Sequence, residues 1–328
     1  LVATGTAPLT VTSTTAVTNL NADLLDGQHG QTYFDKSGYK NFVMNGDFRV
    51  NQRGLGTRLY VFPNLFDYGS DRWQLEGSGW VRDAGIWHQN FATGTSFDGY
   101  TPRHYMSLVT DSAQTASTNY LGMMQGIEDV RTLAGAPVTV SFWARSISGT
   151  PKLGVEFQQH FGTGGSPSAT VLPDFGSVTV NTTWTRYSVT STLPGLAGKT
   201  IGTNEDSRLR LAIFSSLGSA YPNRAGSIGL QPNTQIDIWG IQVERGSVAT
   251  AFEERPYATE LAMCQRYYQR HHFFKMTGTV ASNGTVGRMG AQLPVQMRTG
   301  NNSTSQNFSL GVSGNISVFD GTSVANIT

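Results

Sequence analysis

Hydrophobic and polar residues alternate along short stretches of the chain, and segments containing glycine and proline separate these stretches. In the stretch 138–144, Val138, Val140, Phe142 and Ala144 fall on one face, which is the period-two pattern of a half-buried strand. Similar runs lie at 72–75, 105–109, 152–158, 184–190, 209–214 and 235–243. Short strands repeated in this way predict an all-β fold, a jelly-roll-type β-sandwich.

The pattern changes at two places and divides the chain into three segments. They are a polar stalk at 1–38, the sandwich at 39–256, and a short helix with a C-terminal β region at 257–328. The helix is predicted over 257–268, because Tyr257, Leu261, Cys264 and Tyr268 recur at spacings of three and four. The chain begins without an initiator methionine or a signal peptide. We therefore expect it to be part of a longer protein, with its C-terminal region truncated.

The polar stalk contains Leu20, Leu24 and Leu25, which a segment this short cannot bury on its own. Identical copies of the segment are the simplest partner for these leucines. We therefore expect a homotrimer with the stalk at its three-fold axis, where the three leucines make the trimer contacts.

The composition narrows the function classes. Charged residues make up 14% of the chain and the net charge is +1, so nothing points to nucleic acid or a membrane surface as a partner. No run of about 20 apolar residues is present for membrane insertion. The single cysteine, Cys264, excludes an intrachain disulfide framework. The sequence has no phosphate-binding loop and no Gly-x-Ser-x-Gly elbow, and no acidic pair stands out. We expect a protein that is not an enzyme and needs no cofactor.

Candidate ligand-binding residues lie in polar surroundings between the strands. Exposed aromatic rings beside polar side chains suit sugars, because a pyranose presents a C–H face for stacking and hydroxyl groups for hydrogen bonds. The candidates are Trp80 and Trp87 as stacking platforms, with Arg82, Asp83, Tyr100 and His104. The alternative, which is the commoner role of tryptophan, is that Trp80 and Trp87 pack against a sheet. That role is the default for Trp143, Trp184 and Trp239, which lie in strand-like runs.

Three groups of residues resemble bacteriophage tail-fibre proteins. The stretch 18–27, Thr-Asn-Leu-Asn-Ala-Asp-Leu-Leu-Asp-Gly, resembles an element that recurs in tail-fibre stalks. The stretch 45–54, Asn-Gly-Asp-Phe-Arg-Val-Asn-Gln-Arg-Gly, with Asp-Arg-Trp at 71–73, resembles the opening of a sandwich domain of phage and prophage appendages. The stretch 241–268, which contains Ile-Gln-Val-Glu-Arg-Gly and Cys-Gln-Arg-Tyr-Tyr, resembles the end of that domain.

The resemblance implies a receptor-binding component of the virion tail. Such a protein is a homotrimer that contacts other tail proteins and attaches to host surface polysaccharide or lipopolysaccharide. Two alternatives stay open. One is a purely structural fibre segment or an adaptor that joins the tail to another tip protein, and the other is a polysaccharide depolymerase.

The start and the end of the sandwich are also similar to jelly-roll carbohydrate-binding modules, in which sugar-site residues vary too much to transfer. Such modules often hold a structural calcium ion, which prefers hard oxygen ligands. Asp47 and Asp237 are the candidate ligands, because strands that close a sandwich could bring its two ends together. The alternative that both aspartates cap turns is slightly favoured.

Overall fold

The structure is a computed structural model, and it describes residues 38–54, 59–60, 64–79, 84–110, 115–270, 277–280, 287–290, 294–298, 316–319 and 324–327. Residues 1–40 and residues 41–328 form separate compact units. The sandwich belongs to the second unit. The predicted stalk with Leu20, Leu24 and Leu25 lies outside the described residues.

The described part of the chain is almost entirely β-structure. Its strands are β1 (Leu59–Tyr60), β2 (Asn64–Tyr68), β3 (Gln74–Ser78), β4 (Gly85–Asn90), β5 (His104–Val109), β6 (Tyr120–Glu128), β7 (Pro137–Ser146), β8 (Lys152–His160), β9 (Asp174–Thr179), β10 (Thr185–Thr192), β11 (Arg208–Leu217), β12 (Gln235–Arg245), β13 (Thr277–Val280), β14 (Gly287–Gly290), β15 (Ile316–Phe319) and β16 (Val324–Ile327). Helix α1 spans Tyr257–Gln265, and a 3-10 turn spans Ala225–Ser227.

The first twelve strands form two antiparallel sheets of six strands each. Sheet I has the order β1-β4-β5-β12-β7-β10, and sheet II has the order β2-β3-β6-β11-β8-β9. Strand β13 pairs with β14, and β15 pairs with β16. No helix in the described ranges is long and apolar enough to cross a membrane.

Alternate residues of the two sheets meet in one hydrophobic core. On β7 the predicted apolar face of Val138, Val140, Phe142 and Ala144 is fully buried. Residues of β8 and β11 in the same core are Leu153, Val155, Phe157, Leu209, Leu211 and Ile213. The core confirms the predicted all-β, jelly-roll-type sandwich. Residues of each strand that face away from the core form the outer faces of the sheets.

Helix α1 begins directly after Pro256 and confirms the predicted helix, which ends earlier than expected, at Gln265. Cys264 lies on its buried side, whereas Tyr257 is 52% exposed. Burial raises the pKa of the Cys264 thiol, so this cysteine stays protonated and is expected to be unreactive.

The start of the sandwich is a tight turn built on Asn45, which has a φ of 55° and is fully buried. Its Nδ2 donates to Val50 O at 2.8 Å and to Ser70 Oγ and Asp71 O, both at 2.9 Å. Its Oδ1 accepts from Val50 N at 2.9 Å. The indole of Trp73 donates to Asn45 O at 2.8 Å. Through its side chain and its carbonyl, Asn45 thus joins residues 45–50 to residues 70–73.

The end of the sandwich returns to this turn. Ile241 N donates to Gly46 O at 3.0 Å. A Cβ on Gly46 would lie 2.1 Å from Ile241 O, so only glycine fits there. Glu260 of α1 accepts from Asn45 N. The stretches 45–54, 71–73 and 241–268 therefore meet at one place, the Asn45 hub, defined as Asn45, Gly46, Ser70, Asp71, Ile241 and Glu260.

Asp47, next to the hub, should make stability depend on pH. Burial raises the pKa of Asp47 to about 6, although Arg49 Nε lies 2.7 Å from its carboxylate. The folded state therefore binds this proton more tightly than the unfolded state does, and the contribution of Asp47 to stability falls as pH rises from about 4 to 6.

Asp47→Asn removes this dependence. We expect the stability of the variant relative to the parent to be about 2.4 kcal/mol more favourable at pH 7.5 than at pH 4. Urea unfolding at both pH values measures the difference. Asp98→Asn, at an exposed loop position, is the control. If the stability of both variants relative to the parent changes equally between pH 4 and pH 7.5, the pH dependence does not come from the buried Asp47.

Candidate functional site

The outer face of sheet II carries a cavity of about 520 Å³. It is lined by Tyr68, Arg72, Gln74, Glu76, Tyr120, Met124, Gly126, Arg208, Arg210, Tyr267 and Arg298. We call this cavity the sheet II pocket. Its lining combines three tyrosine rings with guanidinium, carboxylate and amide groups, and most of these residues stand on strands rather than on loops.

The strand register places the lining residues side by side. Gln74 of β3 pairs with Met124 of β6, which pairs with Ala212 of β11. In the next row along β6, Gly126 pairs with Arg210 of β11. Paired residues in antiparallel strands project from the same face. The floor of the pocket is therefore made by outward positions of three adjacent strands, which hold it rigidly.

Strand β6 has two glycines on this face, and the space over them differs. The Phe214 ring lies over Gly122, where a Cβ would approach it to 2.8 Å. A second apolar cluster continues from Phe214 through Ala225 and Ile228 and covers that end. Among the described residues, a Cβ on Gly126 would have only Arg208 Cδ within 4 Å, at 3.5 Å. In this part of the chain, the pocket is thus open above Gly126.

A polar network crosses the floor from β3 to β8. Arg210 forms an ion pair with Glu76, and its Nη1 donates to Gln158 Oε1 at 3.2 Å. The network continues to His160, whose Nε2 lies 3.1 Å from Gln158 Oε1. Burial lowers the pKa of Arg210 to about 10 and that of His160 to about 4. At neutral pH the arginine is charged and the imidazole is neutral.

The wall of the pocket nearest the hub is made by Arg72 and Tyr267. The Arg72 guanidinium lies 3.3 Å from the centroid of the Tyr267 ring, and its Nη2 donates to Gly126 O. Burial raises the pKa of Tyr267 to about 12. Its hydroxyl therefore stays protonated and donates to Glu128 Oε1 at 2.5 Å.

Glu128 is held in its ionised form beside this wall. Burial opposes ionisation, but bonds from Arg266 and Tyr267 outweigh it and keep the pKa of Glu128 below its ordinary value. Arg266 donates to both carboxylate oxygens, at 2.9 and 3.0 Å. Because residues 266 and 267 follow α1 directly, the hub that fixes this helix also positions the wall.

The outer face of sheet I carries a cluster of packed aromatic residues. They are Phe91, Phe97, Tyr100, Tyr105, Trp143, Trp184, Trp239 and Phe252. Trp143 and Trp239 are 3% and 1% exposed. The three tryptophans given a packing role from the sequence, Trp143, Trp184 and Trp239, all belong to this cluster.

The loop site predicted from the sequence is only partly described. Trp80, Arg82 and Asp83 lie outside the described residues. The other three candidates lie in the described residues. Trp87 pairs with Ser107 on the outer face of sheet I. His104 pairs with Asn90 and stands on the same side of β5 as Met106, which faces the core. The hydroxyl of Tyr100 donates to Phe252 O at 2.8 Å within the aromatic cluster. The loop site stays a prediction.

The two aspartates considered as calcium ligands each have a cationic partner. Asp237 accepts from Arg145 Nε at 2.9 Å and from Ser107 Oγ at 2.6 Å. Asp47 is paired with Arg49. Within the described ranges, no three His, Cys, Asp or Glu side chains lie close enough to hold a metal ion. Because an arginine already balances each carboxylate, we expect a chelator to leave the melting temperature unchanged.

The lining of the sheet II pocket was not anticipated from the sequence. A signal was present, because the strand-like runs contain polar residues at alternate positions, such as Gln74 with Glu76 and Arg208 with Arg210. The period-two pattern alone does not tell an ordinary solvated face from the floor of a pocket. Tyr68, Tyr120 and Tyr267 come from distant parts of the chain, and only the fold brings them together.

No protein-family model and no curated protein matches the chain. Solved structures with similar folds include the enzymatically active domain of tailspike protein 4 from bacteriophage CBA120, at 14% identity and a TM-score of 0.36 over 63% of this chain. The chain spans 22% of that protein. The xylan-binding CBM22-2 domain of Paenibacillus barcinonensis Xyn10C is 16% identical, with a TM-score of 0.33 over 56% of this chain and 98% of the domain. TmCBM61 in complex with β-1,4-galactotriose is 12% identical, with a TM-score of 0.30 over 63% of this chain and all of the module. The likeness concerns the fold alone.

Proposed function

We propose that this chain binds a host surface glycan in the sheet II pocket and serves as the receptor-binding component of a bacteriophage tail fibre. The pocket is the observation that carries the glycan part. Its volume of about 520 Å³ lies within the range of about 300–1,000 Å³ usual for small-ligand sites. The tail-fibre part depends on the sequence motifs at 18–27, 45–54, 71–73 and 241–268.

The lining suits a sugar better than an apolar ligand. Tyr68 and Tyr120 offer rings for the C–H face of a pyranose and hydroxyl groups for its rim. Tyr267 packs on Arg72 and donates to Glu128, so it forms the wall beside them. Gln74 and the Glu76–Arg210 pair offer both donors and acceptors to sugar hydroxyls. These groups stand on paired strands, so little order is lost on binding.

We propose binding without catalysis. A glycoside hydrolase needs a carboxylic acid of raised pKa facing a second carboxylate. In the described part of the lining, Glu76 is paired with Arg210. Neighbouring bonds hold Glu128 ionised. Neither group is prepared to donate a proton to a leaving sugar.

An array of bacterial surface polysaccharides tests the glycan proposal. The labelled full chain should bind a subset of these glycans. Tyr68→Ala and Tyr120→Ala should each weaken binding about tenfold, because each removes one ring from the pocket. Tyr257→Ala removes an exposed tyrosine outside the pocket and should bind like the parent. If the folded parent binds no glycan, or if all three variants bind equally, the proposal is wrong.

The trimer is also a proposal. Three pockets on one trimer would raise avidity by roughly 10² to 10⁴ over a single weak site. Replacing Leu20, Leu24 and Leu25 together by serine should convert trimers to monomers, since it removes the apolar contacts expected at the axis. Light scattering on the parent and the variant measures the mass. A monomeric parent would contradict the proposal.

A further inference from the structure

Arginines outnumber acidic residues in the described lining of the sheet II pocket. Arg72, Arg208, Arg210 and Arg298 line it together with one acidic residue, Glu76. The described lining therefore carries a net charge of three positive. A neutral sugar has no need of this excess, whereas an anionic group would be attracted by it.

Two of these arginines already have a carboxylate partner. Arg210 pairs with Glu76, and Arg298 Nε lies 3.7 Å from Glu128 Oε1. Arg208 lies directly opposite Glu128 in the β-register. The Glu128 oxygens are nevertheless turned to Arg266 and Tyr267. Among the described residues, no carboxylate lies within ion-pair distance of Arg72 or Arg208.

Arg72 is the more unusual of the two. It is only 9% exposed, and its Nε is buried without a hydrogen-bond partner. Burial of a cation without a counter-ion is unfavourable. Its φ of 74° is also rare for a residue other than glycine, and strained residues of this kind cluster at binding sites. The ring of Tyr267 on one side and Gly126 O on the other hold the guanidinium in place.

Arg208 completes the arrangement from the solvent side. Its side chain is exposed, and its Cδ is the atom nearest to the position a Cβ would take on Gly126. The nearby Asp206 is occupied elsewhere, since both its oxygens accept from Thr163 at 2.7 Å. Arg72 and Arg208 thus flank the open floor at Gly126, one buried and one exposed.

We propose that Arg72 and Arg208 form a subsite for an anionic substituent of the bound glycan, a carboxylate or a phosphate group. The inference depends on the proposed function, because the same pocket holds the sugar. A planar guanidinium donates two parallel hydrogen bonds to such oxygens. The buried Arg72 supplies a preorganised donor, and the exposed Arg208 closes on the anion after the sugar has entered.

The experiment presents each polysaccharide of the array in three forms. One is native, one has its carboxyl groups reduced to alcohols by carbodiimide and borohydride, and one is dephosphorylated with hydrogen fluoride. The parent should bind a native acidic glycan about tenfold more tightly than the form that lacks its anionic group. The treatment that lowers binding identifies the anion as carboxylate or phosphate.

Arg208→Gln should lower affinity for the native glycan about tenfold and leave affinity for the neutralised form unchanged. Arg72→Lys keeps the charge but loses the planar fork, and should show the same selective loss. Arg131→Gln, at an exposed arginine outside the pocket, is the control.

Equal binding of native and neutralised glycans would overturn the subsite while leaving the glycan proposal intact. An equal loss with both forms in Arg208→Gln would also overturn it. Absence of binding to every form would instead contradict the proposed function itself.

Discussion

Gly126→Leu is expected to abolish glycan binding while leaving the fold intact. Gly126 forms the open floor of the sheet II pocket, and among the described residues the only atom within 4 Å of the position that a Cβ would take there is Arg208 Cδ, at 3.5 Å. A leucine there meets no backbone obstacle, and its branched end would occupy the space between Arg72 and Arg208. We expect affinity to fall about a hundredfold or more, and the melting temperature to change by only a few degrees.

Gly195→Leu is the matched control. Gly195 is an exposed glycine outside the pocket, and a Cβ there would meet no atom of the residues that the structure describes within 4 Å. Its substitution should leave both affinity and melting temperature close to those of the parent. Retention of parental affinity by folded Gly126→Leu would show that the glycan binds elsewhere.

Asn45→Ala is expected to destabilise the sandwich by about 3–5 kcal/mol. The substitution removes the two N–H donors that three acceptors share, and one accepted bond, at a fully buried position. It leaves the carbonyls of Val50 and Asp71 without this donor, and alanine tolerates the φ of 55° less well than asparagine. A loss of this size is a large fraction of the stability of a typical domain.

Asn223→Ala separates the effect of the lost hydrogen bonds from the effect of the positive φ. Asn223 has nearly the same φ, 56°, but it is exposed. Its substitution should cost less than about 1 kcal/mol, mainly from backbone strain. Urea unfolding of both variants measures the difference. Similar losses would mean that backbone conformation, rather than the buried hydrogen bonds, makes Asn45 important.

The sandwich can be predicted well from the sequence, because each strand and helix leaves a pattern within a few neighbouring residues. The alternating run on β7 places Val138, Val140, Phe142 and Ala144 in the core, as expected. The helix after Pro256 is also found. The motif stretches are predicted to open and close one domain, and the hub joins them physically through Asn45 and Glu260.

The site is harder to predict, because its residues come from separate parts of the chain and meet only in the folded protein. Sequence reasoning favours tryptophans in polar surroundings, and so selects Trp80 and Trp87. The pocket instead uses tyrosines and arginines from β2, β3, β6, β11 and the segment after α1. Its opening depends on a missing side chain at Gly126 and on Phe214 filling the space over Gly122. Neither effect is visible in the sequence, because each depends on which strands become neighbours.

The most direct test of glycan binding in the sheet II pocket is a crystal structure of the full chain with the glycan selected on the array. We predict sugar rings in this pocket, against Tyr68 and Tyr120, with the anionic group between Arg72 and Arg208. Sugar bound instead at Trp87 on the outer face of sheet I, or at residues 80–83, would contradict this prediction and favour the loop site.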